Sequence, residues 1–182
     1  PSRYAIFIDL FFKHDFKFHI ISTYLPSNNS TTRLHTQNLI IQWIQQAISS
    51  NLLPIVLGDF NATPNSTLSS SNKFKLLQFL TYNNMYNLAS HTSSSLPTWQ
   101  SSKSSSKIDF IWSYHTTLTY LTSFETDDTN TSSLSDHKIL ISRWSFPYTL
   151  QGQRRYKTRT RRRVFNYKVM DSTKWEDFSN QV

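Results

Sequence analysis

The chain has 182 residues, with 19 Lys and Arg against 11 Asp and Glu, and a formal net charge of +8. This length suits one domain, and 37% hydrophobic with 15% aromatic residues supply a folded core. The absence of Cys excludes disulfides, thiolate metal sites and a cysteine nucleophile. With only two glycines, Gly58 and Gly152, glycine-rich nucleotide-binding loops are excluded as well.

The first part of the chain predicts a β-hairpin, a helix and a buried strand. Residues 4–11 and 16–24 are rich in β-branched and aromatic side chains, which indicates two paired strands. After a polar loop at 26–30, apolar residues at helical spacing predict an amphipathic helix over 33–49. The apolar run 54–57 is typical of a strand buried on both faces.

The second part predicts one more helix and several strands. This mixed order of elements favours an α/β sandwich over a doubly wound parallel sheet. The predicted elements are a helix within 72–89, a polar loop at 90–95, strands at 98–100 and 107–113 on either side of a turn at 101–106, and strands at 118–124 and 138–144 joined by the acidic loop 125–136.

Positive charge is concentrated at the end of the chain. The last 32 residues have nine Lys and Arg against three Asp and Glu, so they carry +6 of the net +8. Because like charges repel, this block is not expected to fold on itself. We therefore predict a folded domain at 1–147, and at 148–182 a basic linker with the start of a further segment. The block is either a nucleic-acid contact or nuclear-import signal, or a solvated tether; its residues are Arg154, Arg155, Lys157, Arg159, Arg161, Arg162 and Arg163.

Cellular location is predicted from the same features. The apolar runs are much shorter than the roughly 20 residues of a membrane-spanning helix, and the first residues do not form a signal peptide. We expect no membrane partner, and a nuclear location or otherwise a cytoplasmic one. The chain begins at Pro1 directly in a strand-like pattern, so we expect it to be a fragment.

Several polar side chains stand at the ends or beginnings of predicted strands, where a rigid scaffold positions functional groups. Each has an ordinary structural explanation when taken alone, but their combination favours a site. Carboxylate and amide oxygens suit Mg²⁺, and a His oriented by a carboxylate suits acid–base chemistry near neutral pH. The residues are Tyr24, Asp59, Asn61, Asp109, Asp136 and His137.

Four motifs carry a family resemblance. They are Thr23-Tyr24-Leu25-Pro26, Gly58-Asp59-Phe60-Asn61, Lys107-Ile108-Asp109-Phe110-Ile111 and Ser135-Asp136-His137. In this order and spacing they resemble the endonuclease/exonuclease/phosphatase superfamily, and in particular the apurinic-endonuclease-like domain of non-LTR (LINE-type) retrotransposons. The resemblance implies the second half of that fold, a partial four-layer α/β sandwich. It also implies DNA as the substrate and a reverse transcriptase domain in the same parent chain.

The resemblance implies a role for each matched residue. Asp59 would orient or deprotonate the attacking water, and Asn61 would hold the scissile phosphate. His137 would stabilise the developing phosphate charge, with Asp109 fixing its imidazole.

Three further residues complete the implied site. Asp136 would be a ligand of Mg²⁺ or Mn²⁺, and Tyr24 would contact the phosphate or the leaving group. Trp99 stands where such nucleases carry an aromatic residue near the site, although core packing is the more ordinary explanation.

The sequence departs from the family in one respect. The family's first half carries an Asn and a Glu that help to bind the metal, and neither is present here. We therefore expect a metal-dependent nuclease in the parent protein, and an inactive fragment with an uncovered sheet face in these 182 residues. Two alternatives stay open: a phosphatase or phospholipase of the same superfamily, and a non-catalytic remnant that binds nucleic acid.

Overall fold

The structure is a computed structural model. It describes residues 3–12, 16–63, 72–91, 96–127, 135–145, 171–173 and 176. The chain divides into two units, Pro1–Thr149 and Leu150–Val182. The predicted boundary between residues 147 and 148 lies outside the described residues and stays a prediction. Within the described part, no helix is long and apolar enough to cross a membrane.

The first unit contains strands and helices in mixed order. The strands are β1 (Ala5–Phe11), β2 (Lys17–Tyr24), β3 (Leu53–Asp59), β4 (Met85–Asn87), β5 (Trp99–Gln100), β6 (Ser105–Ser106), β7 (Asp109–Tyr114), β8 (Leu121–Asp127) and β9 (Ile139–Trp144). The helices are α1 (Ser30–Ser49), α2 (Lys75–Tyr82) and α3 (Leu88–His91), with 3₁₀ helices at Asn72–Phe74 and His115–Tyr120.

Five strands form a central mixed sheet in the order β1-β2-β3-β7-β4. Only β2 and β3 are parallel, and the other neighbours are antiparallel. The β5–β6 and β8–β9 pairs form two separate two-stranded sheets. The predicted α/β class and the predicted β1–β2 pairing are confirmed. The turn between β1 and β2, at 13–15, lies outside the described residues.

Apolar side chains from both faces of the central sheet build two cores. On one face Val56 and Phe110 pack with α1 and α2. On the other face Ile55 and Ile111 pack with α3, β8 and β9. Successive strand residues point to opposite faces, so the continuous apolar runs of β3 and β7 supply both cores, as the sequence predicts for 54–57. The described residues thus form three layers: helices, central sheet and small sheet.

The edge strand β1 exposes much of its apolar surface. Ile6, Ile8 and Phe11 are 67%, 52% and 70% exposed. Exposed contiguous apolar surface on an edge strand is uncommon in an isolated soluble domain, because it invites pairing with another segment. The exposed apolar side chains of the central sheet are therefore concentrated on β1, and the uncovered sheet face stays a prediction.

The helix α1 begins three residues earlier than predicted. The loop residue Asn29 caps it, since its side chain accepts a hydrogen bond from the Thr32 backbone N–H at 2.9 Å. Asn is a favoured N-cap, so Asn29 was the available signal for a start at Ser30.

The helix predicted within 72–89 is present as α2, but it is shorter than the apolar pattern suggests. Helix α2 ends at Tyr82, because Asn83 and Asn84 follow and Asn84 has φ 56°, in the left-handed region that ends helices. The chain then forms β4, which pairs with β7 at the sheet edge. Helix α3 occupies the first part of the predicted 90–95 loop, and residues 92–95 lie outside the described part.

Two strand predictions also need correction. Trp99–Gln100 pairs with Ser105–Ser106 and not with the next strand, since Ser101 and Ser104 close a tight turn through a 2.7 Å backbone hydrogen bond. The strand predicted from residue 118 begins at Leu121, because the preceding residues form a 3₁₀ helix.

Candidate active site

Three predicted site residues lie in one row across the central sheet. In the strand register Tyr24 pairs with Asp59, and Asp59 pairs with Asp109. Paired residues on neighbouring strands project from the same face of a sheet. Because β2 and β3 end at this row and β7 begins there, the three side chains stand at one edge of the fold. Asp109 is thus the first residue of its strand and not an interior one.

Gly58 lets the strands β2 and β3 approach closely beside this row. Its φ is +132°, a conformation that residues with a Cβ rarely adopt. A Cβ at this position would overlap the carbonyl oxygen of Thr23 and would lie 2.9 Å from its carbonyl carbon. A glycine is therefore required before Asp59, because any side chain at this position would clash with the Thr23 backbone.

Asp59 and Asn61 form a compact hydrogen-bonded turn after β3. The Asn61 backbone N–H donates to Asp59 Oδ1 at 2.7 Å, and Asn61 Nδ2 donates to Asp59 Oδ2 at 3.0 Å. Asn61 Nδ2 also donates to the Leu25 carbonyl at 3.0 Å, and Asn61 has φ 44°. An amide nitrogen has two donor hydrogens. Both are engaged here, so Asn61 must release one of these bonds to donate to a phosphate.

Burial raises the pKa of the Asp59 carboxyl above its ordinary value. The hydrogen bond from the Asn61 backbone lowers the pKa, and the nearby charge of Asp109 raises it. The charges of His137 and Arg33 lower it again, but the net direction is upward. A carboxylate with a raised pKa is a better proton acceptor near neutral pH.

His137 is oriented by Asp109. Its Nδ1 lies 2.9 Å from Asp109 Oδ2, so Nε2 is the ring atom that faces away from this carboxylate. The Ser135 hydroxyl accepts a hydrogen bond from the His137 backbone N–H at 3.1 Å. The predicted Asp109–His137 pair is therefore present in the structure, and Ser135, which the motif already contained, fixes its backbone.

Asp136 is held by Trp99. The indole Nε1 donates to Asp136 Oδ2 at 2.7 Å, and this bond, as the largest cause, lowers the pKa of the exposed Asp136 carboxyl. The Gln100 backbone N–H also donates to the Asp136 carbonyl at 3.0 Å. The ordinary explanation of Trp99 as a core residue was wrong, because its ring is only half-buried and its polar edge binds a site residue.

Sequence analysis did not identify Thr98, which is fully buried at the base of the site. Its hydroxyl accepts hydrogen bonds from the backbone N–H groups of Ile108 and Asp109 at 3.0 and 2.9 Å. Its carbonyl accepts from the Lys138 backbone N–H at 2.8 Å. Thr98 thus ties the start of β7 to the segment that carries His137. The only feature of the sequence that pointed to Thr98 was its position directly before Trp99.

Comparison with known proteins now identifies the family. A sequence model described as Endonuclease-reverse transcriptase matches residues 18–141, which is more than half of the chain and contains all six predicted catalytic and metal residues. The chain belongs to the endonuclease-reverse transcriptase family. Among curated protein sequences, no significant match is found.

Solved structures of the endonuclease/exonuclease/phosphatase superfamily share this family member's fold. The endonuclease domain of TRAS1, a telomere-specific non-LTR retrotransposon, matches with a TM-score of 0.59 and 15% identity, over 78% of this chain and 62% of that one. The 3′ phosphatase NExo from Neisseria matches with a TM-score of 0.62 and 18% identity, over 80% of this chain and 66% of that one. The AP endonuclease LMAP from Leishmania major matches with a TM-score of 0.63 and 11% identity, over 79% of this chain and 55% of that one. The chain therefore spans between 55% and 66% of these structures.

Nucleases of this superfamily generally depend on a divalent metal, and the family member has a cluster that could hold one. Ligand atoms of Asp59, Asp109 and His137 all lie within 4.8 Å of one another. Asp136, the predicted ligand, is not part of this described cluster. The seven predicted DNA-binding residues of the basic block, between 154 and 163, lie outside the described residues.

Proposed function

We propose that this chain is the C-terminal part of a DNA-nicking endonuclease of the retrotransposon type, which hydrolyses a phosphodiester with the help of Mg²⁺ or Mn²⁺. The observation that carries the proposal is the convergence of Asp59, Asp109 and His137, with the 2.9 Å bond that orients the imidazole. Family membership and the fold shared with the TRAS1 endonuclease support it.

The imidazole of His137 stabilises the substrate phosphate. Asp109 accepts the hydrogen on Nδ1, so that Nε2 faces away from this carboxylate. When protonated, Nε2 donates to a phosphoryl oxygen and stabilises the charge that develops there. In this mechanism Asp109 does not touch the substrate and acts by orienting the imidazole of His137.

Asp59 accepts a proton from the attacking water. The water oxygen bonds to phosphorus and the water proton moves to the Asp59 carboxylate. The bond from phosphorus to the sugar oxygen breaks, and this leaving oxygen keeps the electron pair and takes up a proton from solvent. The raised pKa of Asp59 favours this transfer near neutral pH. Asn61 Nδ2 donates to the phosphate when it releases either Asp59 Oδ2 or the Leu25 carbonyl. Tyr24, in the same row, contacts the phosphate or the leaving oxygen.

The donor chemistry of the site fits a divalent cation. Asp136 is exposed and its lowered pKa keeps it ionised, so we assign the metal to Asp136 through Oδ1, since Trp99 engages Oδ2. The alternative position, within Asp59, Asp109 and His137, would compete with the Asp109–His137 hydrogen bond. When bound, the cation neutralises phosphate charge in the transition state.

The basic block and the rest of the parent protein complete the proposal. The seven Lys and Arg residues between 154 and 163 bind the phosphate backbone of DNA, where each neutralised phosphate contributes about 0.9 to the log–log salt slope. We further propose a reverse transcriptase in the same parent chain, which the family description Endonuclease-reverse transcriptase supports, and a nuclear location. The exposed apolar edge β1 supports the view that the first half of the fold is missing, and we propose that the 182-residue chain is inactive for this reason.

A plasmid-nicking assay on the 182-residue chain and on the complete parent domain tests the proposal. The complete domain should nick supercoiled DNA, and EDTA or Asp59→Ala should abolish this, with a loss of about 10²–10⁴ in rate. Glu125→Gln, an exposed carboxylate in β8 that pairs with Arg143, is the matched control and should leave nicking unchanged. EDTA-sensitive nicking by the 182-residue chain would contradict its inactivity, and nicking that survives Asp59→Ala would contradict the role of Asp59.

A second candidate function is phosphomonoester hydrolysis at a DNA 3′ end. The fold likeness to the 3′ phosphatase NExo favours it over other substrates. A 3′-phosphorylated oligonucleotide in the same assay distinguishes the two reactions, and sphingomyelin vesicles test a phospholipase. If the complete domain cleaves none of these substrates but still binds DNA, the non-catalytic alternative is correct.

A further inference from the structure

Arg33 is a buried cation on α1, with 4% of its surface exposed. A buried guanidinium is costly unless its hydrogens find acceptors. Its hydrogen bonds reach four backbone carbonyl oxygens. Nη2 donates to Phe60 at 2.7 Å and Nε to Lys73 at 3.0 Å, and Nη1 donates to Leu25 and Pro26 at 3.4 Å each.

Three of these carbonyls belong to the two segments that carry site residues. Phe60 lies between Asp59 and Asn61, and Leu25 directly follows Tyr24. The Leu25 carbonyl also accepts from Asn61 Nδ2 at 3.0 Å, and the Leu25 N–H donates to the Asp59 carbonyl at 2.8 Å. The guanidinium therefore joins the loops after β2 and β3 at the atoms that hold the Asn61 amide.

A neighbouring residue shows what a purely structural contact on the same helix is like. Gln37, one turn later on α1, is 1% exposed. Its Nε2 donates to the Asn72 carbonyl and its Oε1 accepts from the Leu76 N–H, each at 2.9 Å. These bonds fasten only the segment that leads into α2. Arg33 reaches that segment too, through Lys73, but it alone of the two reaches the site loops.

We propose that Arg33 is a positioning residue of the candidate active site, which acts through the Leu25 and Phe60 carbonyls to fix the Asn61 amide against Asp59. The planar guanidinium suits this task because it spreads its donors over a fixed fork, whereas the three donors of a Lys ammonium all lie on one nitrogen. The inference rests on the proposed function for its catalytic meaning, since Asn61 and Asp59 are the groups proposed to act on phosphate and water.

Hydrogen exchange measured by NMR on the 182-residue chain tests this positioning without any turnover. The readout is the exchange rate of the Asn61 backbone amide, which donates to Asp59 Oδ1, divided by that of the Ser104 backbone amide, which donates to the Ser101 hydroxyl in an exposed turn and also exchanges by local opening. In Arg33→Lys this ratio should rise roughly fivefold or more, as expected when a hydrogen bond that closes a local opening is lost. In Gln37→Met it should stay unchanged even though the protein is destabilised.

Rescue by a small cation supplies a second measurement. In Arg33→Ala, millimolar guanidinium chloride should return the Asn61 ratio towards the wild-type value, and potassium chloride at equal concentration should not. Equal ratios in Arg33→Lys and Gln37→Met would overturn the proposal, and so would rescue by both salts. If Arg33→Ala does not fold, the Lys variant decides the question.

The two proposals fail in different ways. Absence of nicking by the complete domain would refute the proposed function and would leave the exchange rates as they are. An unchanged Asn61 ratio in Arg33→Lys would refute the positioning role, whatever the nicking assay shows.

Discussion

Replacing Gly58 by Ala is the most direct test of how the fold positions the site. Gly58 lies opposite Thr23 in the parallel β2–β3 pair, one residue before Asp59. An added Cβ would overlap the Thr23 carbonyl oxygen and lie 2.9 Å from its carbonyl carbon, whereas optimal carbon contacts are about 3.5–4.0 Å. The strands must therefore move apart by at least roughly 0.5–1 Å at the point that sets Asp59 beside Tyr24, since the overlap with the oxygen is larger than that with the carbon.

The expected loss of stability follows from two contributions. A residue with a Cβ in such a backbone conformation costs about 1–3 kcal/mol. Separating the strands weakens one or two ladder hydrogen bonds, each worth about 1 kcal/mol net. Gly58→Ala should therefore lower the free energy of unfolding by about 2–5 kcal/mol, a large share of the roughly 5–15 kcal/mol available to a domain.

Urea denaturation followed by circular dichroism measures this change, and the slope of the transition shows whether the folded state stays compact. Asn51→Gly is the control, because Asn51 has φ 55° and the left-handed conformation accepts Gly, so its effect should stay below about 1 kcal/mol. A Gly58→Ala protein with wild-type stability would refute the close approach of β2 and β3.

Two further predictions concern the residues that hold the site. Thr98→Val should destabilise the fold by about 2–4 kcal/mol, since the N–H groups of Ile108 and Asp109 lose a buried acceptor; Thr98→Ser keeps the hydroxyl and should cost about 1 kcal/mol. Equal losses in the free energy of unfolding for Thr98→Val and Thr98→Ser, measured by urea denaturation, would contradict this prediction. Trp99→Phe should raise the pKa of Asp136 in an NMR titration, because the indole donor that lowers it is lost. The stability that the indole bond gives to the folded wild-type protein is present above the unfolded-state pKa of Asp136. It disappears as pH falls through the folded-state pKa. An unchanged pKa would show that the indole bond has no effect.

Three predicted site residues lie close together in the structure, whereas several predicted element boundaries differ from the observed ones. Asp59, Asp109 and His137 were found because each stands in a short motif at a strand boundary, and the structure brings their ligand atoms within 4.8 Å. What the motifs could not show is how the amide of Asn61 is engaged. That depends on the Leu25 carbonyl, which is 36 residues away and is brought close only by the parallel pairing of β2 and β3.

Element boundaries failed where a local conformation overrides hydrophobic spacing. The apolar pattern of 72–89 continues through Asn83 and Asn84, but the left-handed conformation of Asn84 ends the helix and makes room for β4. The predicted strand boundaries in the 98–113 region differ from the structure for another reason. The short β5–β6 pair closes within a serine-rich turn, while β7 pairs with β3, more than 40 residues earlier in the chain. Periodicity carries no information about such long-range partners.

The charge of the site gives a physical reason for a cation at this edge of the sheet. Asp59 and Asp109 bring two negative charges when ionised, and His137 supplies at most one positive charge. The guanidinium of Arg33 is committed to backbone carbonyls and does not face the substrate. A phosphodiester anion that approaches this cluster is therefore repelled unless further positive charge accompanies it. The divalent ion proposed at Asp136 would supply this charge at the scissile phosphate, whereas the basic block is proposed to act on the DNA backbone.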